Sequence, residues 1–136
     1  MTALTNNANW NSGKPTAEIV VPVSTGSGAV FTLKNQSSRT VGIDASKGLT
    51  IGNSTSAVDI ATFTVTSACT VTVSGKAGGA YDSSKIRSLK FGDNSIYTMS
   101  PTSPEKESFE QSFSAVAGVT YTVNGNGTNI LTITCN

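Results

Sequence analysis

ATFTVTSACTVTVSGKAGGAYDSSKIRSLKFG, residues 61–92, is the stretch whose periodicity decides the fold. Phe63, Val65, Cys69, Val71 and Val73 share one phase, while Thr62, Thr64, Thr66, Thr70, Thr72 and Ser74 share the other. Side chains alternate faces along a strand, so the pattern predicts an extended segment with one apolar face and one face of hydroxyls. A Gly-rich connection follows over residues 77–85. Alternation then resumes, with Arg87, Leu89 and Phe91 set against Ser88 and Lys90. The expectation is two long antiparallel neighbours, each wet on one face.

The same period recurs on both sides. Residues 17–23 form an apolar strand in which Pro22 marks an edge or a bulge. Ala29, Phe31 and Leu33 alternate, then Val41 and Ile43, then Leu49 and Ile51, and Val58 and Ile60 lead into the central stretch. Downstream, Asp93 and Asn94 make a turn before a short strand from Ile96. Residues 100–106 carry two prolines and form a loop. Phe109 and Phe113 carry a further strand, with a helical turn over residues 105–113 as the alternative, because Glu, Lys and Gln favour helix. Val119, Tyr121 and Val123 alternate, Asn124-Gly125-Asn126-Gly127 is a hairpin signal, and Leu131, Ile133 and Cys135 close the chain. Short strands separated by regular turn signals predict an all-β fold, a jelly-roll-like β-sandwich of two antiparallel sheets, as a single domain over residues 1–136. The expected core is Phe63, Val65, Val71, Val73, Leu89, Phe91, Val119, Tyr121, Val123, Leu131 and Ile133.

Charged residues make up 12% of the 136-residue chain, against about 25% in an ordinary soluble domain. Ser, Thr, Asn and Gly take their place. A net charge of +1 lacks the basic excess of a nucleic-acid binder. No apolar run approaches the roughly 20 residues that span a bilayer. The composition fits a secreted or cell-surface protein. The opening Met-Thr-Ala-Leu-Thr has no leader pattern, so a leader or a larger parent upstream is expected. Cys69 and Cys135 both have inward parity. They read either as two buried thiols or as one disulfide closing a long loop, worth on the order of 4 kcal/mol. With no histidine and only two distant cysteines, zinc is not expected.

The missing histidine also removes every Ser-His or Cys-His pair, so no enzyme activity is expected. Glu105, Glu107 and Glu110 read as a solvated acidic loop, because a glycosidase pair must face across a substrate. Asp44, Asp59, Asp82 and Asp93 stand beside turns, where Asp serves the backbone. No cofactor is expected, and a structural calcium held by loop carbonyls and one or two of these Asp stays open. Recognition by surface remains. Lys76 and Lys90 point outward, Lys85 ends the connecting loop, Tyr81 lies near its tip, and Arg87 has inward parity at a strand start from which it can turn to the rim. Lys47 extends the patch if the 45–48 loop lies at the same end. One reading is a set of solvated cations that block edge pairing. The other is a basic, hydroxyl-rich platform for a chain of sugar acids. Trp10 is a lid on a sheet edge or a platform; with Tyr97 it would serve a neutral glycan instead.

The run FTVTSACTVTVSGKA, the Ser-rich loop, IRSLKFG, the return SFEQSFSAVAGVTYTV and the closing NILTI resemble non-catalytic β-sandwich modules appended to secreted bacterial pectate lyases and related polysaccharide-degrading enzymes. Phe63, Val65, Val71, Val73, Arg87, Leu89, Gly118, Tyr121, Asn129 and Ile130 carry the likeness, within residues 47–135. The resemblance implies a carbohydrate-binding module that targets a parent enzyme to plant cell-wall polysaccharide, pectic homogalacturonan first. Its partners would be that polysaccharide and the parent's catalytic domain, with no nucleic acid, no membrane and a monomeric state. The alternative is a structural or adhesin-type sandwich of a surface or virion protein with no glycan ligand.

Overall fold

The computed structural model describes residues 2–3, 19–20, 29–33, 41–44 and 46–136. Trp10, Pro22 and the connection at 24–28 lie outside the described residues. The strands are β1 (Thr2–Ala3), β2 (Ile19–Val20), β3 (Ala29–Leu33), β4 (Val41–Asp44), β5 (Gly48–Ile51), β6 (Val58–Val65), β7 (Cys69–Ala77), β8 (Ser88–Phe91), β9 (Asn94–Thr98), β10 (Ser108–Ala115), β11 (Tyr121–Asn126) and β12 (Thr128–Cys135). The first sheet runs β10-β7-β12-β5-β4, with β1 also on β12; the second runs β2-β3-β6-β11-β8-β9. All pairings are antiparallel. No helix occurs among the described residues; of residues 105–113, expected as a strand or a helical turn, 108–113 lie in strand β10 and 105–106 form a turn before it.

The two sheets face each other over one main core. Phe31, Phe63, Leu49, Ile60, Leu89, Phe91, Ile130 and Ile133 are its largest sealed side chains. Aromatic rings cross it in a chain. Phe63 meets Phe91 at 5.5 Å, Phe91 meets Phe113 at 5.7 Å, and Phe113 meets Tyr121 at 5.3 Å. These edge-on and tilted contacts suit ring quadrupoles, and they tie β10 of the first sheet to β8 and β11 of the second.

The central stretch differs from the expectation in connectivity. Residues 61–77 are not one strand. A turn at 66–68 carries the chain from β6 in the second sheet to β7 in the first. β7 and β8 are therefore not neighbours: β7 pairs with β10 and β12, and β8 with β11 and β9. Val65 and Val71 both point inward, from opposite sheets. The expected Asn-Gly hairpin is also absent. Residues 124–126 continue β11, and Gly127 alone, at φ 60°, passes the chain to β12 in the other sheet.

Two expected core residues lie elsewhere. Val119 is 41% exposed, because a turn at Gly118 (φ 78°) precedes β11 and removes it from the alternation. Leu131 is half-buried, because a β-bulge between Ile130 and Thr132 adds one residue opposite β7 and flips its side. Tyr121 is half-buried at the core margin, where its hydroxyl accepts the Val116 N–H at 2.9 Å. Cys69 and Cys135 form a disulfide across β7 and β12, with Cα atoms 5.7 Å apart. It joins neighbours in one sheet and does not link the two sheets.

Burial sets the expected stability response. Leu89→Ala should cost about 2–5 kcal/mol in urea unfolding, through lost transfer energy and a cavity. Val119→Ala, which lies in the same apparent phase as Tyr121, should change it by under about 0.5 kcal/mol.

Candidate functional site

The fold separates the basic residues that the sequence places together. Lys76 is exposed on β7 and faces outward from the first sheet, while Lys90 is exposed on β8 and faces outward from the second. They lie on opposite faces of the sandwich, so no shared platform forms. Lys90 borders a shallow depression of about 390 Å³ with Asp59, Asp93, Thr122 and Asn124. That face mixes both signs of charge. Asn124 there donates to Asp59 at 3.1 Å.

Arg87 and Tyr81 serve the 78–87 connection. Arg87 is half-buried; its Nε donates to the Ala80 carbonyl at 3.1 Å and its Nη1 to the Gly127 carbonyl at 3.2 Å. The guanidinium thus folds the loop back onto the β11–β12 crossing. Tyr81 packs into a small second cluster with Ala77, Tyr97, Met99 and Phe109. Lys85 is exposed, and its backbone N–H closes a turn on Asp82 O at 3.0 Å. Asp82 accepts the Ser84 hydroxyl and N–H, which hold its carboxyl below the usual carboxylate range. Tyr97 is buried, stacked on Phe109 at 4.9 Å, and donates to Glu107 at 2.9 Å. Burial, then that carboxylate, push its hydroxyl above the ordinary tyrosine value. Its ring face is covered, so it offers no platform to a sugar.

Lys76 instead meets Lys47 and Lys106 around one cleft of about 300 Å³. Ser46, Ala77, Gly78, Asn129 and Leu131 are the other described residues that line it, and none of the described lining residues is acidic. Each wall has a local cause. Lys47 stands on the β4–β5 turn, which Gly48 at φ 74° draws against β12. A Cβ there would sit 2.1 Å from the Ile130 carbonyl oxygen, so only glycine allows the approach. The bulge beside Ile130 turns Leu131 outward and lays an apolar floor. Two backbone bonds extend the β7–β10 edge past its strands, Ala77 N–H to Glu107 O and Lys106 N–H to Gly79 O, both at 2.9 Å. They hold Lys106 over the cleft.

Lys106 is the residue the sequence reading missed. It lies in a Pro-rich segment between two glutamates that reads as a solvated loop. It is also the one non-glycine among the described residues with positive φ, at 54°. Strained backbone of this kind concentrates at working sites.

The buried amide of Asn126 organises the β11–β12 crossing. Its Nδ2 reaches Asn53 Oδ1 at 2.9 Å and the Ser54 and Ile86 carbonyls at 2.8 Å each, while its Oδ1 accepts the Ser54 N–H at 2.9 Å. It fixes residues 53–54 and 86 against the β11–β12 crossing.

Compared with protein-family models, curated proteins and solved structures, the chain matches none.

The strain at Lys106 is measurable. Lys106→Gly should raise unfolding free energy by about 0.5–1 kcal/mol, because glycine takes positive φ without a Cβ clash. Lys106→Ala, which keeps the Cβ, should show no such gain in the same urea titration.

Proposed function

We propose that this chain is a non-catalytic carbohydrate-binding module that holds an acidic plant cell-wall polysaccharide, homogalacturonan in its low-ester form, in the cleft of Lys47, Lys76 and Lys106. The observation that carries the reading is that cleft: three lysines from three separate segments line it, and none of the described lining residues is acidic. The outward Leu131 and Asn129 give a sugar ring an apolar contact and an amide. The resemblance to modules of pectate lyases supports the same ligand. The disulfide suits an oxidising, extracellular setting, where a catalytic domain of the parent enzyme would benefit from tethering.

Exposed Lys–carboxylate pairs contribute roughly 0.2–1 kcal/mol each. Three such pairs leave a single domain weak, and affinity then grows with repeats along the polymer. Exposed pairs are screened over a Debye length of about 10 Å at 0.1 M salt.

Affinity gel electrophoresis should therefore show retardation by low-ester pectin, less by high-ester pectin, and loss of retardation as salt rises. Lys47→Ala, Lys76→Ala and Lys106→Ala should each weaken it by about two- to five-fold. Lys85→Ala and Lys90→Ala should leave it unchanged, since both side chains lie away from the cleft. Binding indifferent to ester content and salt would sink the proposal.

The same reading expects no turnover. The purified protein should release neither reducing ends nor unsaturated products from pectin, with or without added calcium. Reproducible release abolished by changing one carboxylate would show an enzyme instead.

A further inference from the structure

We infer that the acidic chain lies across the strands of the first sheet, at right angles to them, with about one sugar residue per strand from β10 to β5. This inference rests on the proposed function and adds the direction, register and length of the bound segment.

The pairing register sets the track. Ser108, Lys76, Asn129, Thr50 and Gly42 are successive cross-strand partners on β10, β7, β12, β5 and β4. Their inward neighbours Ala77, Ile130, Leu49 and Val41 are buried, so these five residues present the outer face. The cleft follows this row, because its lining passes from Lys106 before β10, through Lys76 and Asn129, to Ser46 and Lys47 before β5. A chain on this track meets a cation at each end and one between.

A chain laid along β7 would meet something different. From Lys76 it would pass Ser74, Thr72 and Thr70. Thr72 is bonded to Ser112 at 2.7 Å, and Ser74 to Thr132. Those hydroxyls are already paired and carry no charge to match a repeating carboxylate. Of the two, only the transverse track meets more than one of the cleft's lysines.

Spacing favours the same track. Adjacent strands lie about 4.8 Å apart, so β10 to β5 spans three intervals, about 14 Å. A residue of a linear pyranose chain advances by a distance similar to one of those intervals. Leu131, turned out by its bulge, gives the apolar face of one ring a seat beside Asn129.

The experiment is calorimetric titration of the intact protein with fully de-esterified oligogalacturonides of one to six residues. Affinity should climb to a length of three or four and then level. Lys47→Ala and Lys106→Ala should each cost about two- to five-fold with the tetramer and under two-fold with the dimer, which can shift to the remaining cations. In heteronuclear NMR, amides of both Thr50 and Ser108 should shift with the tetramer. Affinity that levels at the dimer, or shifts running down residues 70–76 with Thr50 silent, would overturn the transverse register while pectin binding stands. If neither low-ester pectin nor any oligomer binds, the proposed function fails and the register falls with it.

Discussion

The pairing of β7 with β12 is the constraint on which the first sheet depends. It is an extended register, from Thr128 on Ala77 to Cys135 on Val71. The Cys69–Cys135 bridge closes one end, and the backbone of Asn136 adds two bonds to Thr70 beyond it. Holding β12 fixed in this way lets one irregularity be tolerated in its middle. The bulge at residues 130–132 would weaken a free edge strand, but here β7 and β5 support it from both sides. That bulge exposes Leu131 and makes room for the Gly48 turn. The cleft is thus a consequence of the strand that the disulfide and the long β7 register anchor.

Chain crossing between sheets is the second organising feature. The passage from β11 to β12 is a single residue, and several partners secure it: the Asn126 amide, the Gly127 N–H to Gly52 O at 3.1 Å, and Gly127 O, which receives both the Gly78 N–H and Arg87. Arg87 therefore acts as a latch between the loop after β7 and the crossing. Its guanidinium has two carbonyl partners, which explains why a residue that reads as a ligand cation serves the scaffold instead.

How much of this was legible depends on what alternation encodes. Period two reports which face a residue takes and says nothing about which sheet it belongs to. The turn at 66–68 keeps phase, since Val65 and Cys69 stand an even number of residues apart, and Thr-Ser-Ala carries no Gly, Pro or Asn to mark a break. The all-β class, the paired sheets and most of the core were readable for that reason, while strand adjacency was not. Leu131 misread because one extra residue in a bulge reverses parity without changing composition. Val119 misread because only the positive φ at Gly118 marks the turn that displaces it. Of the basic residues singled out in the sequence, Lys47 and Lys76 meet at the cleft, and Lys85 and Lys90 do not. Lys106 was invisible because its position comes from two backbone bonds to residues about 30 positions earlier, a relation no local pattern carries.

The cleft also has an energetic signature. Lys106, a non-glycine residue at φ 54°, adds strain of order 1 kcal/mol, and that strain does not serve the core. The rest of the molecule offsets it through sealed aromatic packing and a disulfide. Under the proposed function, the attraction of lysines for a polyanion would fade with salt, whereas the contact with Leu131 would not, and the transverse row of strands would set the spacing of the bound chain.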